Sequence, residues 1–171
     1  MAEVRTEDLI EKVLKVRRVS KVITGGRRFS FSALVVVGDG QGRVGVALGK
    51  SRDVSSAISK AAKRARMNMV FVPLYKSTLP FTTFGKHSAS RVLIRSASKG
   101  TGVIAGGAVR AVMESLGVKD VLAKSLGSEN AHNVVLATMK ALSKLRSAKE
   151  IAALRGKSIK EVVGGSYVSA K

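Results

Sequence analysis

The chain has 171 residues, with 31 Lys+Arg against 11 Asp+Glu and a formal net charge of +20. An apolar fraction of 45% is enough for a hydrophobic core and excludes a disordered basic tail, and the absence of Cys excludes a disulfide framework or a thiolate zinc site. A charge of this size calls for a polyanionic partner.

The chain opens with MAEVRTEDLIEK, which carries Glu3, Glu7, Asp8 and Glu11 and no apolar run. It predicts helix or coil, and neither a signal peptide nor a basic transit peptide. KVLKVRRVSKVI (12–23) alternates Val13, Val16, Val19 and Val22 imperfectly with basic residues and predicts a strand. RFSFSALVVVG (28–38), with Phe29 and Phe31 two apart, predicts a second, and RVGVALG (43–49) a third. GDGQG between them reads as a hairpin link. Ser51 and Asp53 are N-cap candidates for a helix over DVSSAISKAAKRARMNMV (53–70). There Val54, Ala57, Ile58, Ala61, Ala62, Ala65 and Met69 fill one face, and Lys60, Lys63, Arg64 and Arg66 the other. Such a helix packs on a sheet and turns cations outward.

The only two prolines, Pro73 and Pro80, flank Ser77 and Thr78 and mark a boundary between two domains, 1–76 and 77–171. Beyond it, SASRVLIRSAS (88–98) predicts a strand, with Val92 and Ile94 on one face and Leu93 on the other. SKGTGVIAGGAVRAVMESLGV (98–118) predicts a Gly-rich loop leading into a helix, with Val109, Val112, Met113 and Leu116 at core spacing. VKDVLAKSLG (118–127) predicts a short strand, and NAHNVVLATMKALSKL (130–145) a helix buried along Val135, Met139, Leu142 and Leu145. AKEIAALRGKSIKEVV (148–163) predicts one shorter helical stretch, and the final GGSYVSAK a frayed end. Both domains are α+β.

Three glycine-rich segments resemble nucleotide-binding motifs. Gly40, Gly42 and Gly45 spell GxGxxG, but a strand follows them where the dinucleotide fingerprint opens a helix, so a hairpin turn is the better reading. GVALGKS (45–51) has three residues between its glycines where a P-loop has four, and no apolar run ending in Asp follows, which rejects an NTPase. Gly100, Gly102 and Ala105 give GxGxxA at a helix start, where exposed amides bind phosphate readily. The alternative is close packing against a strand or a subunit. Phosphate or partner contact is favoured over a dinucleotide, because Asp120 at a strand start is not at the dinucleotide carboxylate position. His87, placed in a loop, and His132, near a helix start, have no carboxylate at a recognisable spacing. Two His do not make a three- or four-ligand metal site, so no catalytic residue, metal or cofactor is assigned.

The strongest local feature is basic. Lys12, Lys15, Arg17, Arg18, Lys21, Arg27 and Arg28 have no acidic residue among them, and Gly25-Gly26 makes a flexible tip. A solvated face is the bland reading; a glycine tip carrying arginines suits insertion against a phosphate backbone. Residues 1–80 carry 16 basic against 6 acidic groups and residues 81–171 carry 15 against 5, so both halves would face the polyanion. The longest purely apolar stretch, Ala33 to Val37, is far short of the ~20 residues of a membrane span, and the charge is not confined to one amphipathic helix, so no membrane role is expected. Cytoplasm is the default location. Seven aromatics are few stacking platforms, and GRRFSFSAL (26–34) matches the single-strand reader signature only loosely. Three strands followed by a basic helix are closer to a double-stranded-RNA-binding module, which reads shape and phosphates.

Val19 to Val54, Ala89 to Val118 and Asp120 to Leu142, taken together, closely resemble the bacterial small-subunit ribosomal protein five family. The resemblance implies a double-stranded-RNA-binding-like N-terminal domain and a C-terminal split β-α-β domain. It implies a non-enzymatic constituent of the small subunit that binds its 16S-type rRNA and contributes to assembly and decoding accuracy. The rRNA-binding residues would be Lys15, Arg17, Arg18, Lys21, Gly25, Gly26, Arg27 and Arg28, with Lys50 and Arg52 after the third strand and Lys60, Lys63 and Arg64 on the helix. Arg17, Arg18 and Lys21 would also line the channel through which messenger RNA enters. The loop Ser20 to Arg28 would reach the head–body junction near the spectinomycin site, with Thr24 where the family usually has Lys. Gly102, Gly106, Gly107 and Arg110 map to an interface with small-subunit protein four, and protein eight is a further partner. The rivals are a nucleotide-dependent enzyme built on the Gly-rich loops and a free double-stranded-RNA chaperone.

Overall fold

The computed structural model describes residues 9–164; of the helix or coil expected over 1–12, residues 1–8 lie outside the described residues and Ile10–Lys12 are instead strand, drawn into pairing with the far end of the next strand, and the expectation for 165–171 lies outside the described residues. Four antiparallel strands, β1 (Ile10–Ile23), β2 (Gly26–Gly38), β3 (Arg43–Ser51) and β4 (Val70–Phe71), form a sheet in that order, and α1 (Val54–Met67) covers one face. Successive strand residues point to opposite faces. Ala33, Val35 and Val37 therefore meet Ala57, Ala61, Ala62 and Ala65 of α1, while Leu34 and Val36 enter a larger core behind the sheet. The apolar run in β2 is a strand buried on both sides, which is why it does not alternate. A Cβ at Gly45 or Gly49 would collide with the carbonyls of Ala65 or Ala57, so glycine on β3 and alanine on α1 together let the helix lie close.

The imperfect alternation of β1 has a structural cause. The register slips between Val13↔Val35 and Lys15↔Leu34, leaving Leu14 as the extra residue of a bulge that packs toward the larger core. In α1 the apolar face is shorter than its spacing suggests: Val54 is 38% exposed and Met69 lies past the helix end. Asp53 occupies the N-cap position without a side-chain capping bond, and Ser51 is the last residue of β3.

In the second half, β5 (Thr83–His87), β6 (Ser90–Ser96), β7 (Val103–Ile104) and β8 (Val121–Gly127) form a sheet of order β5-β6-β8-β7. The β5–β6 and β6–β8 pairs are antiparallel; β7 and β8 are parallel and joined through α2 (Gly107–Leu116), a β-α-β unit. α3 (Ala131–Leu142), α4 (Ala148–Arg155) and α5 (Ile159–Gly164) follow. His87, expected in a loop, ends β5 and pairs with Ser90 across a Ser88-Ala89 turn. Gly85 disguises that strand, yet a Cβ there would collide with the Ala137 carbonyl of α3. The single helical stretch over 148–163 is two helices, because Gly156 takes a left-handed φ of +61° and caps α4.

α2 sits between the two sheets. Val109, Val112, Met113 and Leu116 join Leu34, Val36 and Val44 of the first sheet to Val92, Ile94, Val121 and Ala123 of the second, and Val134, Val135 and Leu142 of α3 close the same core. The connector around Pro73 and Pro80 is packed rather than loose. Val72 and Leu79 are buried, and the Ser77 carbonyl accepts from the Lys119 and Asp120 amides at 2.9 and 3.0 Å. The β2–β3 turn docks on the end of α2: Gly40 N–H donates to the Ser115 carbonyl and Gly42 N–H to the Leu116 carbonyl, both at 3.1 Å. Within the turn the Asp39 carboxylate accepts from Gln41 and Arg43 amides at 2.8 and 2.9 Å. The amides of this GxGxxG are thus engaged by protein acceptors.

Candidate nucleic-acid interface

β3 ends at Ser51, opposite Phe31 of β2. Beyond that point β1 and β2 pair only with each other, through five pairs from Val19↔Ser30 to Ile23↔Gly26. At about 3.3 Å per residue the ribbon projects about 16 Å. Thr24 and Gly25 form its tip, with Gly25 at φ +95°, and Gly26 already belongs to β2. Every residue from Lys15 to Phe29 is exposed, so cross-strand pairing and not burial holds the ribbon. Lys21 lies directly opposite Arg28. Like charges opposed on a pleated face cost stability, and a phosphate between them would reverse the sign.

Where the ribbon meets the start of α1 there is a cleft of about 1130 Å³, lined by five cations (Lys21, Arg28, Lys50, Arg52 and Lys60), the lone carboxylate Asp53, and Phe29. Lys63 and Arg64 continue along the outer face of α1, where the Arg64 guanidinium donates to the Leu48 carbonyl at 3.3 Å. No acidic residue occupies the first turn of α1, so the positive end of its dipole adds to the same field, offset in part by the Asp53 carboxylate at the N-cap.

All eleven cations expected on rRNA are exposed, and among the described residues none has a carboxylate within ion-pair distance. Two cations that the sequence groups with them differ. Lys12 pairs with Glu114 of α2, and Arg66 with Glu11 at 2.6 Å. The bare basic field therefore begins at Lys15; the carboxylate that neutralises Lys12 arrives from 102 residues away.

Gly102, Gly106, Gly107 and Arg110 lie on the second half, around the start of α2. Gly106 and Gly107 are exposed, and a Cβ on either would meet open space. With Ser125 and Glu129 they line a concavity of about 220 Å³. Gly102 takes φ +74°, and the Arg110 guanidinium donates to the Val103 carbonyl at 3.1 Å, tying α2 to β7. The Gly-rich loop is set by a residue whose role the sequence did not reveal. Asp120 is only 4% exposed, and its carboxylate accepts from the Gly100 and Gly102 amides at 2.9 and 3.1 Å. A visible signal would have been an acidic side chain immediately before a strand and next in space to a glycine loop.

The Ser77 hydroxyl and the Gly102 amide hold the Asp120 carboxyl below the usual carboxylate range, against the opposing effect of burial; Gly100 and Lys99 add smaller pulls. The folded state favours the ionised form, so this stabilisation is complete above the unfolded value of about 3.9 and is lost as pH falls through the lower folded value. Asp120→Asn is expected to melt at a lower temperature than wild type at neutral pH and to converge on it in acid. Thermal melts between about pH 2 and pH 7 check this; a constant difference across the range would contradict it. The His132 amide donates to the Asn130 side chain, and the His87 and His132 Nδ1 atoms are buried without a hydrogen-bond partner.

Comparison with known proteins supplies the context for this surface. The family model for ribosomal protein S5, N-terminal domain, matches residues 9–73, and that for ribosomal protein S5, C-terminal domain, matches residues 85–155. The chain is 57% identical over 148 residues to small ribosomal subunit protein uS5 of Lawsonia intracellularis, covering 86% of this chain and 91% of that one. It is 56% identical over 162 residues to small ribosomal subunit protein uS5 of Acinetobacter baumannii strain ATCC 17978, covering 95% and 98%. With both halves matched in order and more than half the residues shared across nearly the full length, the chain belongs to the ribosomal protein S5 family.

Proposed function

We propose that the chain is a structural constituent of the small ribosomal subunit, that it grips 16S-type rRNA through phosphate contacts, and that it is not an enzyme. One observation carries this reading: a projecting ribbon and adjoining cleft hold exposed cations with almost no carboxylate among them. Each Lys or Arg set against a phosphate releases condensed counterions, so affinity rises and log K falls with log salt by about 0.9 per contact on a duplex. Arginine adds bidentate geometry at the ribbon tip. Lys15, Arg17, Arg18, Lys21, Arg27 and Arg28 would lie along one RNA groove or junction, with Gly25 and Gly26 allowing close backbone approach, while Lys50, Arg52, Lys60, Lys63 and Arg64 hold a neighbouring backbone.

In this reading both domains, 1–76 and 77–171, face RNA, the first through the ribbon and cleft; the second also meets small-subunit protein four, and protein eight is a further partner. Arg17, Arg18 and Lys21 additionally face messenger RNA where it enters the subunit, and the contact at Gly102, Gly106, Gly107 and Arg110 supports decoding accuracy. The protein then resides in cytoplasmic ribosomes and assists subunit assembly. Thr24 places an uncharged residue at the ribbon tip. Filter binding of the isolated protein to small-subunit rRNA across a salt series tests the proposal. A steep slope is expected; salt-independent binding, or micromolar binding of NAD or ATP at the Gly-rich loops, would overturn it.

The protein-facing surface makes its own prediction. Gly106 is the N-cap of α2, with an ordinary φ of −64° and open space for a Cβ, so Gly106→Asn, which keeps a favoured capping residue there, is expected to leave the melting temperature within about 2 °C of wild type. The same substitution is expected to reduce protein four in reconstituted particles by several fold, read from their protein composition. Unchanged composition would remove this surface from the interface.

A further inference from the structure

Phe29 belongs to neither hydrophobic core. Phe31, two residues along the same face of β2, is half-buried and packs toward the α1 core, so the strand uses the same residue type structurally only two positions away. Phe29 stands instead on the free ribbon, 48% exposed. Its cross-strand partner is the small Ser20, which leaves the ring uncovered from that side. The Arg18 guanidinium carbon sits over the ring, 4.5 Å from its centroid, a cation–π arrangement. The ring also borders the cleft whose rim carries Lys21, Arg28, Lys50, Arg52 and Lys60.

We propose that Phe29, backed by Arg18, is the stacking seat for one unpaired RNA base, whose adjacent phosphates lie in the basic cleft beside it. The proposal rests on the RNA-binding reading above and adds to it. A base inside a continuous duplex is stacked on its neighbours and presents no face to a protein ring. The occupant is therefore a bulged, looped or terminal nucleotide. Every base has a π-face, so the seat selects an unpaired state and not a sequence. The surrounding cations give the nucleotide its phosphate contacts, while the single Asp53 carboxylate in the cleft keeps the anion toward the Lys and Arg side. The protein would thus read duplex shape with most of its surface and one flipped-out base at this point.

The test uses the full chain and two RNA hairpins of equal length, one fully paired and one carrying a single extruded 2-aminopurine. Wild type is expected to bind the bulged hairpin roughly tenfold more tightly and to quench the 2-aminopurine fluorescence. Phe29→Leu is expected to lose both the preference and the quench, while keeping its affinity for the paired hairpin and the slope of that affinity with salt. Phe29→Tyr, which keeps a ring, is expected to keep the preference, and this holds the test open if the leucine variant folds poorly. No preference in wild type, as a ring reserved for a protein contact would give, overturns the proposal. Equal weakening of both hairpins by Phe29→Leu does so too. Wild type that binds the paired hairpin but shows no bulge preference removes only the stacking seat; failure to bind either RNA removes the RNA-binding reading with it.

Discussion

Replacing Arg27 and Arg28 together by alanine is expected to weaken binding to small-subunit rRNA by ten- to a hundredfold, roughly, and to flatten the salt slope by about 2, one unit per lost phosphate contact. Both side chains are exposed, and neither has a carboxylate within ion-pair distance among the described residues. The ribbon that carries them contributes to neither core, so the substitution removes charge without removing packing. It also takes away the like-charge opposition of Arg28 and Lys21. The melting temperature is therefore expected to hold or rise slightly while the affinity falls. Filter binding across a salt series and a thermal melt of the same variant separate the two effects. An unchanged slope would mean that the tip touches no phosphate.

The largest stability effect is expected at the joint between the halves. A Cβ at Gly117 would collide with the Gly40 backbone carbonyl, and Gly117 also takes φ +90°, where an L side chain is strained. A Cβ at Gly38 would collide with the Ser115 carbonyl on the opposite side of the same contact. In both cases the obstacle is backbone, so no rotamer change relieves it. Left-handed strain of about 1–2 kcal/mol and an overpacking cost of about 1–3 kcal/mol add for Gly117→Ala. For a chain of this size that is a loss of about 10 °C in melting temperature. Gly38→Ala is expected to lose somewhat less, lacking the φ term. Calorimetry of the two variants checks this, and wild-type melting in both would mean that the β2–β3 turn and α2 are not pressed together.

How much of this could be read from the sequence depends on how local each cause is. The alternation in β1, the apolar run in β2 and the alanine stripe of α1 are local patterns, and each formed the element it suggested. β4 and β7 are two residues long and exist only because a neighbouring strand is there to pair with. β5 hides behind Gly85, whose reason is a carbonyl on α3 more than fifty residues later. The basic ribbon was legible because a run of cations without intervening acids is itself a sequence feature. The exemption of Lys12 and Arg66 was not, since their partners come from α2 and from the opposite end of the sheet's chain segment. The same holds for Asp120, whose two glycine amides reach it only after α2 has folded the loop back. Phe29 is visible in the sequence but its exposure is not, and low aromatic content pointed toward pure shape reading.

The exposed cations are expected to be neutralised by ribosomal RNA. Sucrose-gradient fractionation of a cell lysate at physiological salt, with the protein followed by its own antibody, measures this directly. The protein is expected to co-sediment with small subunits and to move to the top of the gradient only when salt is raised far enough to compete for phosphates. A protein that runs free at the top at physiological salt would contradict the account.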